Sequence, residues 1–167
     1  QLGGGDWKII AGYGHSPEHA CLYDADRRIF ISGDIVLPSI SPNISLYPGG
    51  TGNPVGAYLE TLDAIASQVP DDVTVLPSHG VPFRGLHRRI DELRQHHARR
   101  FTRLHEVLGE GPRSAFETME GLFAHRALAP GDVFFALGET LSHLAHEEQR
   151  GKITKIMKVG VAVYSLL

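Results

Sequence analysis

The chain has 167 residues, enough for one ordinary domain or for a partial domain followed by a small second one. Its 16 Lys and Arg stand against 19 Asp and Glu, giving a formal charge of −3 and a pI near 6.4, which argues against a chain built around nucleic acid or acidic membranes. A single cysteine, Cys21, excludes an internal disulfide and fits a reducing compartment, so the expected location is the cytoplasm. No run of eighteen apolar residues occurs, and no membrane association is expected.

The opening Gln1-Leu2-Gly3-Gly4-Gly5-Asp6 is glycine-rich and lacks an initiator Met; it reads as a loop or interior cut point of a longer parent. Residues 7–11 form a short apolar run closed by Gly12, a strand that delivers Gly14-His15 to a loop. Residues 20–23 and 28–32 are two more apolar runs joined by Asp24-Ala25-Asp26-Arg27, the pattern of an antiparallel hairpin, with Asp34 following at its end. Cys21 lies inside the first of these runs and reads as a packed core thiol rather than a nucleophile.

From position 35 to 56 the composition turns to Pro, Ser, Asn and Gly, a long loop of the kind that is functional or disordered in compact domains. Residues 54–68 then carry Val55, Leu59, Leu62 and Ile65 at helical spacing, with Pro54 suited to the first turn. Residues 73–76 read as a buried strand ending in Pro77-Ser78-His79-Gly80. Leu86, Ile90, Leu93, His97, Phe101, Leu104 and Leu108 step by three and four through one long helix, which Gly109-Glu110-Gly111-Pro112 ends. That breaker divides the expected domains, 1–110 and 111–167. In the second, residues 114–122 and 131–149 read as helices, the latter with Phe134, Phe135, Leu137, Leu141, Leu144 and Ala145 as its apolar face; residues 151–156 and 159–164 read as a hairpin.

Three motifs in order carry the chemistry: Gly14-His15-Ser16-Pro17-Glu18-His19, Ser32-Gly33-Asp34 and Pro77-Ser78-His79-Gly80. Each offers a metal-ligand type on a loop straight after an apolar run. Glycine beside each ligand suits tight turns. Taken singly, a histidine after a strand is usually a loop residue, and Asp34 reads equally as a turn residue or helix cap. The joint order and placement make the set specific.

With these motifs the chain resembles the metallo-β-lactamase superfamily, and within it the glyoxalase II-like hydrolases that carry a C-terminal helical extension. The resemblance implies an α/β fold: the C-terminal half of an αββα sandwich followed by a small winged-helix-like α+β domain. It implies that His15, Asp34 and His79 are metal ligands, with Asp34 the catalytic bridging carboxylate between two zinc ions, His15 on the first and His79 on the second. It implies that His19 steadies the site without binding metal, and that Asn43, in the loop after Asp34, meets substrate. Glu18 stands where related proteins commonly have glycine.

The family's His-x-His-x-Asp-His string is found nowhere here. Each zinc would keep two protein ligands, too few for tight binding, so the isolated chain is expected to hold zinc weakly or not at all and to be inactive. The expected parent is a metal-dependent hydrolase that uses metal-bound hydroxide on an ester, thioester or related bond of a small-molecule substrate. The missing N-terminal half, or self-association through a sheet left open, is the expected partner. Two readings compete: a non-catalytic folding or interaction remnant, and a fragment of an RNA-processing nuclease. Arg88, Arg89, Arg94, Arg99, Arg100 and Arg103 favour the latter, but arginines around an amphipathic helix are more often a solvated face, and nucleic acid is not the expected partner. Arg84 and His87 likewise read as a solvated helix start. No Gly-x-Ser-x-Gly elbow supports a serine hydrolase.

Overall fold

The computed structural model describes residues 4–47, 50, 52–125 and 127–167. The first three residues of the glycine-rich opening and positions 48, 49 and 51 of the long loop lie outside them. Packing divides the chain into two units: residues 1–42 with 57–96, and residues 43–56 with 97–167. The long helix is thus shared by both units, and residues 97–110 pack with the tail.

The first unit is built on a four-stranded sheet, β1 (Trp7–Gly12), β2 (His19–Asp24), β3 (Ile29–Gly33) and β4 (Thr74–Pro77), in that spatial order. β1–β2 and β2–β3 are antiparallel; β3–β4 is parallel. A parallel neighbour needs a crossover, and helix α1 (Pro54–Gln68) lies in that connection. The β2–β3 turn is fixed by Asp24, whose Oδ1 accepts from the backbone N–H of Arg27 at 2.9 Å and whose Oδ2 pairs with the Arg27 guanidinium at 2.5 Å.

Alternation along the strands separates two faces. Ile10, Cys21, Phe30 and Val75 point to one side and are buried, with Tyr58, Leu62 and Ile65 of α1 and Ile90 and Leu93 of helix α2 (Leu86–Gly109) also in the core. Burial pushes the Cys21 thiol up to about 12, and its Sγ meets the Ser32 carbonyl at 3.5 Å, the behaviour of a core thiol. The other face carries Ile9, Ala11, Ala20, Leu22, Ile31 and Leu76, none fully buried, with Ile9 69% exposed. This apolar face has no layer packed on it among the described residues.

The second unit holds the C-terminal part of α2, the two-residue strand β5 (Arg113–Ser114), helices α3 (Ala115–Leu122) and α4 (Pro130–Gln149), and the hairpin β6 (Ile153–Lys158) and β7 (Val161–Leu166). The strands form an antiparallel sheet in the order β5-β7-β6. Ser114 caps α3 in a reciprocal box with Glu117, satisfying two otherwise orphaned N–H groups. Leu104, Leu108, Met119, Leu122, Leu144 and Tyr164 form the core.

The apolar face expected for α4 is corrected in part. Phe134 and Phe135 are exposed, whereas Ala136, Thr140, His143 and Glu147 form the buried stripe with Leu144. Its polar members are satisfied one by one. Thr140 donates to the Ala136 carbonyl at 2.8 Å; Glu147 binds Nε2 of His105. His143 Nδ1 must donate to the Glu139 carbonyl at 2.7 Å, so its Nε2 accepts from His97 Nδ1 at 3.1 Å.

Candidate functional site

Strand direction alone gathers the site. β1 and β3 run the same way and β4 is parallel to β3, so their C-terminal ends share one edge of the sheet with the N-terminal end of the antiparallel β2. His15 follows β1, Asp34 follows β3, His79 follows β4 and His19 opens β2. The turns that release them use left-handed glycines: Gly14 at φ 101°, Gly33 at φ 53° and Gly80 at φ 86°, which a side chain would disfavour.

Asp34 lies between the two imidazoles and offers each a different oxygen. Its Oδ2 is 3.8 Å from His15 Nε2, its Oδ1 3.4 Å from His79 Nε2, and Ser78 Oγ donates to Oδ1 at 2.5 Å. All lie at the surface of the first unit. Two donors on one tetrahedral zinc, each at about 2.0–2.1 Å, would sit about 3.4 Å apart. The Asp34–His79 separation matches this spacing and the Asp34–His15 separation is a little wider. Each imidazole thus forms a two-donor pair with Asp34, and no group of three or more His, Cys, Asp or Glu able to hold a metal occurs among the described residues.

His19 lies against the turn that carries Asp34. A Cβ on Gly33 would fall 2.0 Å from His19 Nε2, so the glycine lets the ring press on this backbone. Three positioning contacts carried no sequence signal. Ser78 orients the carboxylate. Thr61 Oγ1 of α1 accepts from the Tyr13 N–H at 2.9 Å, fixing the exit from β1. Arg89 of α2 donates through Nε to the Leu37 carbonyl at 2.6 Å and through Nη2 to the Ile40 carbonyl at 2.9 Å, tying down the segment after Asp34.

Asn43 belongs to the second unit, where its Nδ2 donates to the Phe135 carbonyl at 3.4 Å and its Oδ1 accepts from Ser45. His87 anchors the start of α2, with its backbone N–H on Asp71 Oδ1 at 2.7 Å and its Nε2 on the Val69 carbonyl at 2.8 Å.

The first 79 residues match the family model for the metallo-beta-lactamase superfamily, and residues 101–166 match that for the metallo-beta-lactamase-like C-terminal domain. The chain belongs to the metallo-beta-lactamase superfamily. A beta-lactamase domain protein from Burkholderia ambifaria is 38% identical, with a TM-score of 0.94 over 100% of this chain and 50% of that one. A metallo-beta-lactamase family protein from Thermus thermophilus is 27% identical, with a TM-score of 0.85 over 100% of this chain and 51% of that one. A sec-alkylsulfatase from Pseudomonas, 14% identical with a TM-score of 0.51 over 84% of this chain and 23% of its own, shares the fold. Comparison with curated protein sequences finds no significant match. The chain thus spans about half the length of the first two structures. The α/β class and the half metallo-beta-lactamase fold expected from the sequence are what the chain has, and the superfamily's hydrolase-like fold is its frame. No described helix is long and apolar enough to cross a membrane.

Proposed function

We propose that this chain is the rear portion of a binuclear zinc hydrolase acting on an ester, thioester or related bond of a small-molecule substrate. The observation that carries the reading is the placement of two imidazoles on separate oxygens of one carboxylate at one end of the sheet. His15 and Asp34 would hold one ion, Asp34 and His79 the other. Bound there, divalent ions supply Lewis acidity toward the scissile carbonyl and bring the pKa of a water toward neutrality. The protein's own share is positional. Ser78 holds the carboxylate by its hydroxyl, His19 braces the Asp34 turn, and Arg89 fixes the segment that follows.

Two donors per ion fall short of the usual four, which supports weak zinc binding and no turnover by the chain alone. A second portion of a longer protein is the partner that best fits the open apolar sheet face, and self-association is the fallback of a face left uncovered. The two helices and hairpin after position 111 support the winged-helix-like, glyoxalase II-like reading of the tail, proposed as 111–167 after a first domain of 1–110, while packing groups residues 43–56 and 97–110 with the tail. The arginines of α2 favour a small-molecule substrate over RNA: Arg88, Arg94 and Arg103 each pair with an acid within four residues, and Arg100 pairs with Glu139. One buried free cysteine supports a cytoplasmic setting.

Zinc titration of the whole chain, followed by amide and imidazole NMR, tests the proposal. Saturable shifts are expected at His15, Asp34 and His79, abolished by Asp34→Ala and tightened by added imidazole, which stands in for absent nitrogen donors. Zinc-induced shifts confined to other histidines, or shifts at these three that survive Asp34→Ala, would overturn it.

A further inference from the structure

The tip of the β6–β7 hairpin carries an unfavourable residue in an unfavourable place. Lys158 pairs with Val161 across a two-residue turn, and both turn residues are left-handed, Val159 at φ 48° and Gly160 at φ 80°. Such turns favour Asn or Asp before Gly. A β-branched residue there is strained, and Val159 is wholly exposed, so no burial offsets the strain. Residues held strained cluster at sites of function.

The surface below the tip continues the pattern. Strand alternation puts Ile153, Lys155 and Met157 on the face shared with Tyr164, which meets the core at its base, and Ile156, Lys158, Val161 and Val163 on the outer face. Ile156 is 46% exposed, Val161 52% and Met157 65%. Aliphatic side chains thus collect at the free end of the hairpin, on both faces and in the turn itself.

The charge around them is of one sign. Three of the chain's four lysines, Lys152, Lys155 and Lys158, are exposed on this hairpin, Arg150 precedes it, and no acidic side chain occurs after Glu148. The net charge of −3 therefore hides a local stretch of opposite sign. Lysine on an edge strand such as β6 also deters strand pairing, but that role accounts for neither the apolar tip nor the strain at Val159.

We propose that the β6–β7 hairpin docks on the surface of an anionic lipid bilayer, with Val159 and its aliphatic neighbours entering the headgroup boundary and Lys152, Lys155 and Lys158 pairing with lipid phosphates. Lysine suits this arrangement because its aliphatic stem lies along apolar surface while the ammonium stays among the headgroups. The same chemistry sets other occupants aside. A second copy docked about a two-fold axis would bring like charges together. Single-stranded nucleic acid needs exposed rings to stack its bases, and the hairpin's one aromatic, Tyr164, is buried. The expectation of no membrane association rests on spanning length and whole-chain charge, and neither bears on a hairpin that lies on a surface. Nothing in this docking depends on the hydrolase reading.

The test is co-sedimentation of the whole chain with vesicles of phosphatidylcholine alone and of phosphatidylcholine with phosphatidylserine. Binding is expected to the anionic vesicles only, fading at high salt and weakening roughly fivefold with each of Lys155→Ala and Lys158→Ala. Val159→Asn separates binding from folding. Asparagine accepts the left-handed turn, so Tm should rise by roughly 2–4 °C, while vesicle binding should fall roughly three- to tenfold as apolar burial is lost. Equal binding to neutral and anionic vesicles, as the open sheet face of the first unit would give, would overturn the proposal. So would no binding to either, full binding by the two lysine variants, or a Val159→Asn protein that binds as wild type does. Salt-sensitive binding of single-stranded RNA without binding to vesicles would assign the lysines to nucleic acid and overturn it too.

Discussion

Substituting Gly33 by Ala puts the sharpest question to the site. The residue sits at φ 53°, where a Cβ costs about 1–2 kcal/mol. The added carbon would also lie 2.0 Å from His19 Nε2 and 2.6 Å from its Cε1, closer than any real contact, so the ring must leave its place. Overpacking of this kind costs about 1–3 kcal/mol. Together they predict a loss of roughly 2–5 kcal/mol, or roughly 4–20 °C in Tm at about 2–4 °C per kcal/mol for a chain of this size. The two parts separate in a double-mutant cycle. His19→Ala removes the ring and leaves the backbone strain, so Gly33→Ala made on that background should cost only about 1–2 kcal/mol, a coupling of about 1–3 kcal/mol. Urea unfolding of the four proteins measures it. Additive losses would refute the claim that His19 braces the Asp34 turn, and a neutral Gly33→Ala would refute both parts.

Asp24 has its carboxyl pKa lowered, first by the Arg27 backbone N–H and then by the Arg27 side chain. The stabilisation is therefore present above the unfolded-state value and is lost as pH falls through the lower folded one. Asp24→Asn should be the less stable protein at neutral pH and should converge with wild type in acid, as thermal melts between pH 2 and pH 7 would show; a constant difference would contradict this. Ser114→Ala removes one half of the α3 capping box and should cost about 1 kcal/mol by urea unfolding, while Ser114→Asp should restore most of it. On the open sheet face, Ile9→Lys should reduce self-association in sedimentation velocity while changing stability by less than about 0.5 kcal/mol; unchanged association would mean that this face is not the contact.

Local signals made the first unit legible. β1 and β3 are short apolar runs that end in glycine, β4 ends in Pro77, and α1 begins at a proline suited to its first turn, so the loops between them could be located along with the residues they carry. That His15 and His79 flank Asp34 was implied by the family resemblance and not by any local pattern, because it depends on the parallel placement of β4 beside β3, set by a crossover of forty residues between Gly33 and Thr74. The face of α4 was misjudged for a related reason. Hydrophobicity favours Phe134 and Phe135, but the buried stripe is Ala136, Thr140, His143 and Glu147; Thr140 is satisfied within the helix, whereas His143 Nε2 and Glu147 meet groups remote in sequence, His97 and His105 of α2. β5 is two residues long and exists only because β7 pairs with it fifty residues later, leaving no local pattern to find.

The same dependence on position explains how the group around Asp34 is held. The donors here are set by elements the chain itself supplies: the common edge of β1, β3 and β4, the Thr61 contact to the exit of β1, the Ser78 hydroxyl on Asp34, the His19 ring against Gly33 and the Arg89 clamp on the following segment. None of these requires a residue from outside the chain, so the geometry of the carboxylate between two imidazoles is preorganised locally. Affinity is another matter, because it scales with the number of donors as well as their placement. On the proposed zinc reading, the chain should therefore bind metal weakly at Asp34, His15 and His79, and donors added from a second portion of protein would raise occupancy without having to remodel these three.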